Sequence, residues 1–472
     1  MTTLTTRQPR IHLPGGISEL LEIALPMMIS NACGTVMTFT NRLFLAKLGS
    51  SQMNAALAGG ISSFMLTTFF IGMIGYGTAL IGQYYGAKQK SNCALVVTQS
   101  VILALVAYPI ILCFIPVMGR LFSASGIARE QLEPQMLYFK ILATASILDL
   151  IRQAYSCFFT GIGRTKTVLA ASLVTMLINV IGSYCLVLGK FGFPEMGIRG
   201  AAYSTILGGL SGVIILVCAY YFGNKRDEYD IAGSMRFDKE IMLKLIKFGY
   251  PAGLEFLLGI AAFSAMIFLF QMQGQAAATA ATITFNWDMV AFVPLIGIEI
   301  AVTSLVGRYK GAEQPDTAHR ATMSGIKVGT IYSAVMVVLF AAFPGPLIEL
   351  FRPDTNDAVF QNAIPLTTFM IRLMAFYVLF EATICAFAGA LRGAGDTLWA
   401  MGISVILHWL MVALLAYLFI VCHASVQVGW VAIVLWMIPL ISVFYLRYRS
   451  GKWRTIKVIN QAPVVFEPDA VV

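Results

Sequence analysis

Long apolar stretches, separated by short polar segments, follow one another along the whole chain. Each is long enough to cross the ~30 Å hydrocarbon core of a membrane as a helix. Because backbone polar groups in lipid must bond within their own segment, uninterrupted runs of this length predict helices and not barrel strands. The predicted spans are 18–45, 53–81, 93–118, 134–160, 166–189, 198–222, 243–270, 277–306, 320–345, 362–390, 398–421 and 427–447.

The two halves of the chain repeat each other. Pro26 matches Pro251 and Gly86 matches Gly311, both at an offset of 225 residues. Duplicated membrane proteins with several spans are commonly transporters whose substrate path runs between the halves. The sequence therefore predicts an all-α membrane protein with twelve transmembrane helices in two pseudo-symmetric six-helix bundles. We divide it into an N-terminal lobe (1–222), a cytoplasmic linker (223–241), a C-terminal lobe (242–447) and a cytoplasmic tail (448–472).

Composition and charge agree with a membrane location. The chain is 58% hydrophobic, has a mean hydropathy of +0.80 and carries formal charge on only 12% of its residues. With both termini inside, 22 of the 32 Lys and Arg residues fall on the cytoplasmic side, among them Arg7, Arg10, Lys225 and Arg226. This asymmetry follows the positive-inside rule. We expect a multi-pass protein of a bacterial inner membrane with both termini in the cytoplasm, and no nucleic-acid partner for its net charge of +9.

The sequence gives no sign of a cofactor. Its eight cysteines are scattered and form no CxxC pair, so neither a zinc site nor a disulfide framework is expected. No nucleotide-binding loop of the Gly-x-x-x-x-Gly-Lys type is present, which favours an ion gradient over ATP as the energy source.

Acidic residues inside the apolar spans are the main candidates for chemistry, since a buried charge needs a partner, an ion or a proton. Glu381 has no cation within one turn of its helix and is predicted to couple transport to an ion. Asp149 lies at the equivalent position of the first repeat, at an offset of 232. It is a second coupling candidate, and the alternative is a structural ion pair with Arg152, three residues further along the helix.

The second half holds three more acids. Glu255 follows Pro251 by one turn and is a coupling candidate or an interfacial side chain. Asp288 follows Trp287, and a carboxylate beside an indole suits an organic cation; a neutral aspartate that bonds a neighbouring helix is the alternative. Glu299 is a cavity candidate near the cytoplasmic side, in an access route or in a gate salt bridge.

Several motifs resemble those of the multidrug and toxin extrusion (MATE) transporters, over nearly the whole chain. They include ALPMMISN at 24–31, KLGSSQMNAAL at 47–57, GQYYGA at 82–87, GIGRTKT at 161–167, VGRYKGA at 306–312 and FEATICAFAGALRGAGDT at 380–397. The resemblance implies alternating access between two lobes. It further implies export of amphipathic organic cations, driven by entry of Na⁺ or H⁺.

The resemblance transfers only partly to individual residues. The family's acid in span 10, eleven residues before an arginine, matches Glu381 before Arg392. Asn41 is the polar residue nearest the place of a common family aspartate in span 1. In span 5, one branch of the family has an aspartate four residues after the asparagine, and this chain has Ser183 at that place after Asn179. Asn41 and Asn179 are therefore candidates for the substrate cavity. We therefore favour a cation site built from Glu255, Asp288 and Glu381.

Two other functions are alternatives to a cation antiporter. A flippase for lipid-linked oligosaccharide or another lipid would need basic residues that face the cavity, and only Arg42, Arg152 and Arg372 qualify. A polytopic membrane enzyme would need clustered catalytic groups, and the four histidines are dispersed. The expected protein is a monomeric antiporter in membrane lipid, not an enzyme, with small organic cations as its partners.

Overall fold

In the described part of the computed structural model, twelve helices are long and apolar enough to cross a membrane. The structure is described for residues 13–124, 129–223, 227–352 and 358–459, and within these ranges it contains no strand. Arg7, Arg10, Lys225, Arg226 and the tail beyond 459 lie outside them. The helices are α1 (Ile17–Ala46), α2 (Ser51–Gly86), α3 (Lys90–Ala124), α4 (Glu130–Gly161), α5 (Thr165–Leu188), α6 (Ile198–Tyr221), α7 (Lys239–Gln271), α8 (Gln275–Gly311), α9 (Pro315–Ala342), α10 (Ala358–Ala394), α11 (Thr397–Val421) and α12 (Val426–Arg449).

Local signals explain where several helices begin and end. The side chain of Asp238 accepts a hydrogen bond from the backbone N–H of Ile241 at 2.9 Å and caps α7. Pro315, which lacks a backbone N–H, is the first residue of α9. A left-handed Gly189 ends α5. Helices α8 and α10 are each 37 residues long, so they extend beyond the apolar stretches that predicted them.

The helices pack into two lobes related by the sequence repeat. Within each lobe the second helix packs extensively on the fourth, as α2 does on α4 and α8 on α10. Between the lobes, α1 packs on α8 and, equivalently, α2 packs on α7. The expected fold of two pseudo-symmetric six-helix bundles is confirmed.

The two lobes meet closely at the end that carries the α2–α3 and α8–α9 loops, which we call the closed end. A Cβ atom on Gly86 would overlap the carbonyl oxygen of Arg308, and a Cβ on Gly311 would overlap that of Gln83. Only glycine allows this approach of the α2 and α8 backbones. Since Gly86 and Gly311 are the repeat-related pair, the same contact is made twice across the pseudo-symmetry axis.

The linker and the tail also pack against the lobes. Tyr229 and Ile231 of the linker are buried in the core of the N-terminal lobe. In the tail, Trp453 is buried in the core of the C-terminal lobe, whereas Val458 and Ile459 join the N-terminal core. The described part of the tail therefore contacts both lobes at their closed end.

Candidate ion and substrate site

A buried acidic pair lies inside the C-terminal lobe. Asp288 on α8 is 6% exposed and Glu381 on α10 is 8% exposed, and the two carboxyl groups interact electrostatically. Tyr377, one turn before Glu381 on the same helix, donates its hydroxyl to Glu381 Oε1 at 3.2 Å. Extensive packing of α8 on α10 brings these three side chains together.

Neither acid is fully satisfied by the protein. Asp288 Oδ1 and Glu381 Oε2 are buried without a hydrogen-bond partner among the described residues. No salt bridge to either acid is present in that part of the chain. Because two carboxylates cannot both stay charged cheaply in a low-dielectric interior, this arrangement suits a shared proton or a bound cation. Carboxylate and phenol oxygens are also suitable ligands for a hard cation such as Na⁺.

A second acidic cluster lies nearer the closed end. Arg392 on α10 donates through Nη1 to Glu299 Oε1 on α8, and through Nη2 to Glu255 Oε2 on α7 at 3.3 Å. Glu255 is 16% exposed and Glu299 14% exposed at the side chain, so both acids are partly buried. One arginine thus ties three helices of the lobe together.

The three acids favoured for one cation site are therefore divided between two clusters. Asp288 and Glu381 lie together, whereas Glu255 is bound to Arg392. Glu299 forms a salt bridge with Arg392 on the neighbouring helix α10. The sequence motif places Arg392 eleven residues after Glu381, and it does not predict the part of Arg392 in this network.

Cys385 lies between the two clusters along α10. Its side chain is buried, with 6% of its surface exposed, one turn after Glu381. Positions 377, 381, 385 and 392 fall within about 80° of one another at 100° per residue, so they share one helical face. The spacing of these four residues in the sequence already predicts the shared face. Tyr377 and Arg392 could therefore have been added to the candidate site residues.

The N-terminal lobe contains a buried polar cluster without any charge. Ser183 on α5 bonds Asn41 Oδ1 on α1 and Ser204 Oγ on α6, each at 2.5 Å. Thr205 Oγ1 accepts hydrogen bonds from Asn41 at 3.1 Å and from Asn179 at 3.2 Å. The cavity candidates Asn41 and Asn179 are thus brought together, inside the lobe.

Two further candidates lie apart from these clusters. The indole N–H of Trp287 donates to the Leu347 carbonyl at 3.2 Å, and the ring packs edge-on against Phe340 and Phe351. Asp149 pairs with Arg152 at 3.6 Å, and 55% of its side chain is exposed. The local ion pair expected for Asp149 is thus present.

The structure also contains an ion pair between the lobes that the sequence patterns do not predict. Glu19 on α1 bonds Arg308 on α8 at 3.2 Å, and Tyr309 donates its hydroxyl to the same carboxylate at 2.6 Å. Both charged side chains are less than one-fifth exposed. These contacts add to the glycine packing that holds the lobes together at this end.

Two repeated helix bundles with buried acids inside their membrane-spanning helices are typical of a polytopic membrane transporter. The family model described as MatE matches residues 26–185 and 251–418, which is more than half of the chain. The chain therefore belongs to the MATE family, whose members are transporters and not enzymes, as the sequence motifs predicted.

Relatives and solved structures are similar over almost the whole length. The probable multidrug resistance protein NorM of Thermotoga maritima is 25% identical, over 97% of both chains. The multidrug resistance protein PmpM of Pseudomonas aeruginosa is 26% identical, over 84% of this chain and 83% of its own. Among structures, a MATE protein in complex with MaL6 matches with a TM-score of 0.84 at 21% identity, over 93% of this chain and 97% of its own. A MOP superfamily transporter from Pyrococcus furiosus matches equally well, at 19% identity.

Proposed function

We propose that this protein exports amphipathic organic cations by antiport against Na⁺ or H⁺, through alternating access between its two lobes. The observation that carries the proposal is the buried pair Asp288 and Glu381, which has no basic partner in the described ranges. The names of the multidrug resistance relatives support a small-molecule substrate.

The coupling step follows from the electrostatics of this pair. An entering Na⁺ or H⁺ lowers the cost of burying two carboxyl groups, and an organic cation can offset the same negative charge. Because both ligands relieve the same repulsion, they compete, and binding of one favours release of the other. Tyr377 keeps the Glu381 carboxyl oriented through its hydroxyl hydrogen bond.

The closed end of the lobes faces the cytoplasm in this proposal, because the sequence predicts 22 of the 32 Lys and Arg residues on the side that carries the α2–α3 and α8–α9 loops. Export then requires separation of α2 from α8 and breakage of the Glu19–Arg308 ion pair. A flippase for a lipid-linked anion is less compatible with the site, since acids outnumber the single arginine of its two clusters.

The experiment measures efflux of a fluorescent organic cation from proteoliposomes under an imposed Na⁺ gradient or an imposed pH gradient. We expect one gradient to drive uphill transport by the wild type, and we expect Asp288→Asn to abolish it. The Glu349→Gln variant changes an exposed acid outside the site and serves as a matched control. Uphill transport by Asp288→Asn at the wild-type rate would contradict this coupling site, and failure of both gradients would contradict antiport.

A further inference from the structure

A surface groove of about 720 Å³ lies on the C-terminal lobe, at the closed end of the protein. It runs between α9, α10 and α12, and the described tail forms its rim. None of the acids or neutral polar residues of the candidate site lines it. The groove is therefore separate from the candidate ion and substrate site.

The floor of the groove is mostly apolar and lies within the membrane-spanning helices. It is formed mainly by Met323 and Ile326 of α9, Phe387 of α10 and Ile441 of α12, and the hydroxyl residues Thr383 and Ser442 also line it. Ile441 lies eight residues before Arg449 on α12, a distance of about 12 Å along the helix axis. The groove thus leads from a polar mouth to a mostly apolar floor between the membrane-spanning helices.

The mouth of the groove is built by a reversal of the chain after α12. Gly451 has a φ of +70° and turns the tail back, so that the Trp453 ring stacks on Tyr448 with centroids 5.1 Å apart. The indole N–H of Trp453 donates to the Tyr448 carbonyl at 3.0 Å. Arg454 then lies over the Trp453 ring at 5.3 Å, which holds its guanidinium at the rim.

Charge at the mouth is net positive. Arg449 makes no ion pair within the described residues, and Arg454 pairs with Asp316 at 3.0 Å. The Asp316 side chain is 88% exposed, so this pair is weak and can rearrange for another anion. The Tyr448 hydroxyl and His319 Nδ1 lie 2.9 Å apart and add polar groups at the same level.

We propose that the groove binds an anionic phospholipid, with its phosphate at Arg449 and Arg454 and an acyl chain on the apolar floor. Guanidinium groups bind phosphate through paired N–H donors, and basic pockets between membrane helices select anionic headgroups. A soluble phosphate would leave the floor unfilled, and a zwitterionic lipid would not complement the charge. An organic cation is repelled by the mouth.

The test uses the purified full-length protein in detergent, with equal amounts of phosphatidylglycerol and phosphatidylethanolamine as probes. Native mass spectrometry counts the retained lipids. We expect the wild type to retain phosphatidylglycerol preferentially, and each arginine removed to reduce the preference about fivefold. Arg449→Gln with Arg454→Gln should therefore abolish it. Lys452→Gln removes a charge from the same tail turn without altering the groove lining, and it should leave the preference unchanged.

A second variant tests the floor without altering the charge. Ile441→Trp fills the groove and should remove the bound phosphatidylglycerol while both arginines remain. Soluble glycerol phosphate should compete poorly, and effective competition would show that an anion site without an acyl chain explains the binding. Equal phosphatidylglycerol retention by wild type, double variant and Ile441→Trp would overturn the proposal. Size-exclusion profiles and thermal unfolding confirm that each variant is folded.

Discussion

The polar interiors of the two lobes differ although their helices correspond. The N-terminal lobe buries neutral groups around Asn41, Asn179 and Ser183 that hydrogen-bond within one cluster, although Asn179 Oδ1 has no partner among the described residues. The C-terminal lobe buries acids, of which Asp288 and Glu381 have no basic partner among the described residues. A duplicated scaffold can therefore keep its backbone packing while one copy retains the ionisable chemistry.

The difference is clearest at one pair of equivalent positions. Asp149 and Glu381 are related by the repeat offset of 232. Asp149 is exposed and pairs with Arg152, whereas Glu381 is buried beside Tyr377 and Asp288. Equal position in the repeat thus does not mean equal environment, because the neighbouring helices supply different side chains.

The largest effect is expected from Arg392→Met. The substitution leaves Glu255 and Glu299 without their shared cation, and loss of one partner from a buried ion pair costs about 3–5 kcal/mol. Unfolding in mixed detergent micelles measures the loss of stability.

The matched control is Arg372→Met, an exposed arginine on the same helix, with an expected change of about 0.5 kcal/mol or less. Adding Glu255→Gln and Glu299→Gln to Arg392→Met should recover most of the stability. If Arg392→Met proves as stable as the control, the network does not contribute to folding.

Glu381→Gln should reduce gradient-driven efflux by about tenfold or more, equivalent to ~1.4 kcal/mol in the barrier. The amide can accept the Tyr377 hydrogen bond but cannot take up a proton or neutralise a cation. Initial rates in proteoliposomes measure the effect, and membrane insertion and thermal stability should be unchanged. Wild-type drug resistance in pump-deficient cells that express this variant would remove Glu381 from the coupling site.

Ser183→Ala tests whether the neutral cluster is structural. The variant loses two side-chain hydrogen bonds, and at ~0.6 kcal/mol each in a membrane the free energy of unfolding should fall by about 1 kcal/mol. Efflux by the folded protein should stay within about twofold of wild type. Ser264→Ala is the control, since among the described residues its hydroxyl bonds only the carbonyl of Ile260 in its own helix. A loss of coupling in Ser183→Ala with normal stability would show that the N-terminal lobe also takes part in transport.

The smallest effect is expected from Asp149→Asn. The exposed pair with Arg152 contributes at most about 0.5 kcal/mol, and efflux should change by less than about twofold. The same proteoliposome assay compares this variant with Glu381→Gln. Equal losses of efflux in the two variants would mean that both repeats supply a coupling acid.

Much of the site could be predicted one helix at a time. Glu381 stood out because no cation lies near it along α10, and the structure leaves it without a basic partner in the described ranges. Tyr377 and Arg392 share its helical face and were within reach of the same reasoning. The salt bridges of Glu255 and Glu299 with Arg392 could not be predicted in this way. The three residues lie on three different helices, and the rotation of each helix about its axis follows from packing.

The sequence by itself determined the twelve spans, the repeat and the acids that need compensation, since lipid imposes length, hydropathy and charge limits on each helix separately. Only the tertiary structure decided which acids share a cluster and why the repeated glycines matter. Gly86 and Gly311 are distant in the chain, yet each allows the backbone of one lobe to contact the other. Such contacts depend on how two complete bundles fit together, and no local pattern in either half specifies that fit.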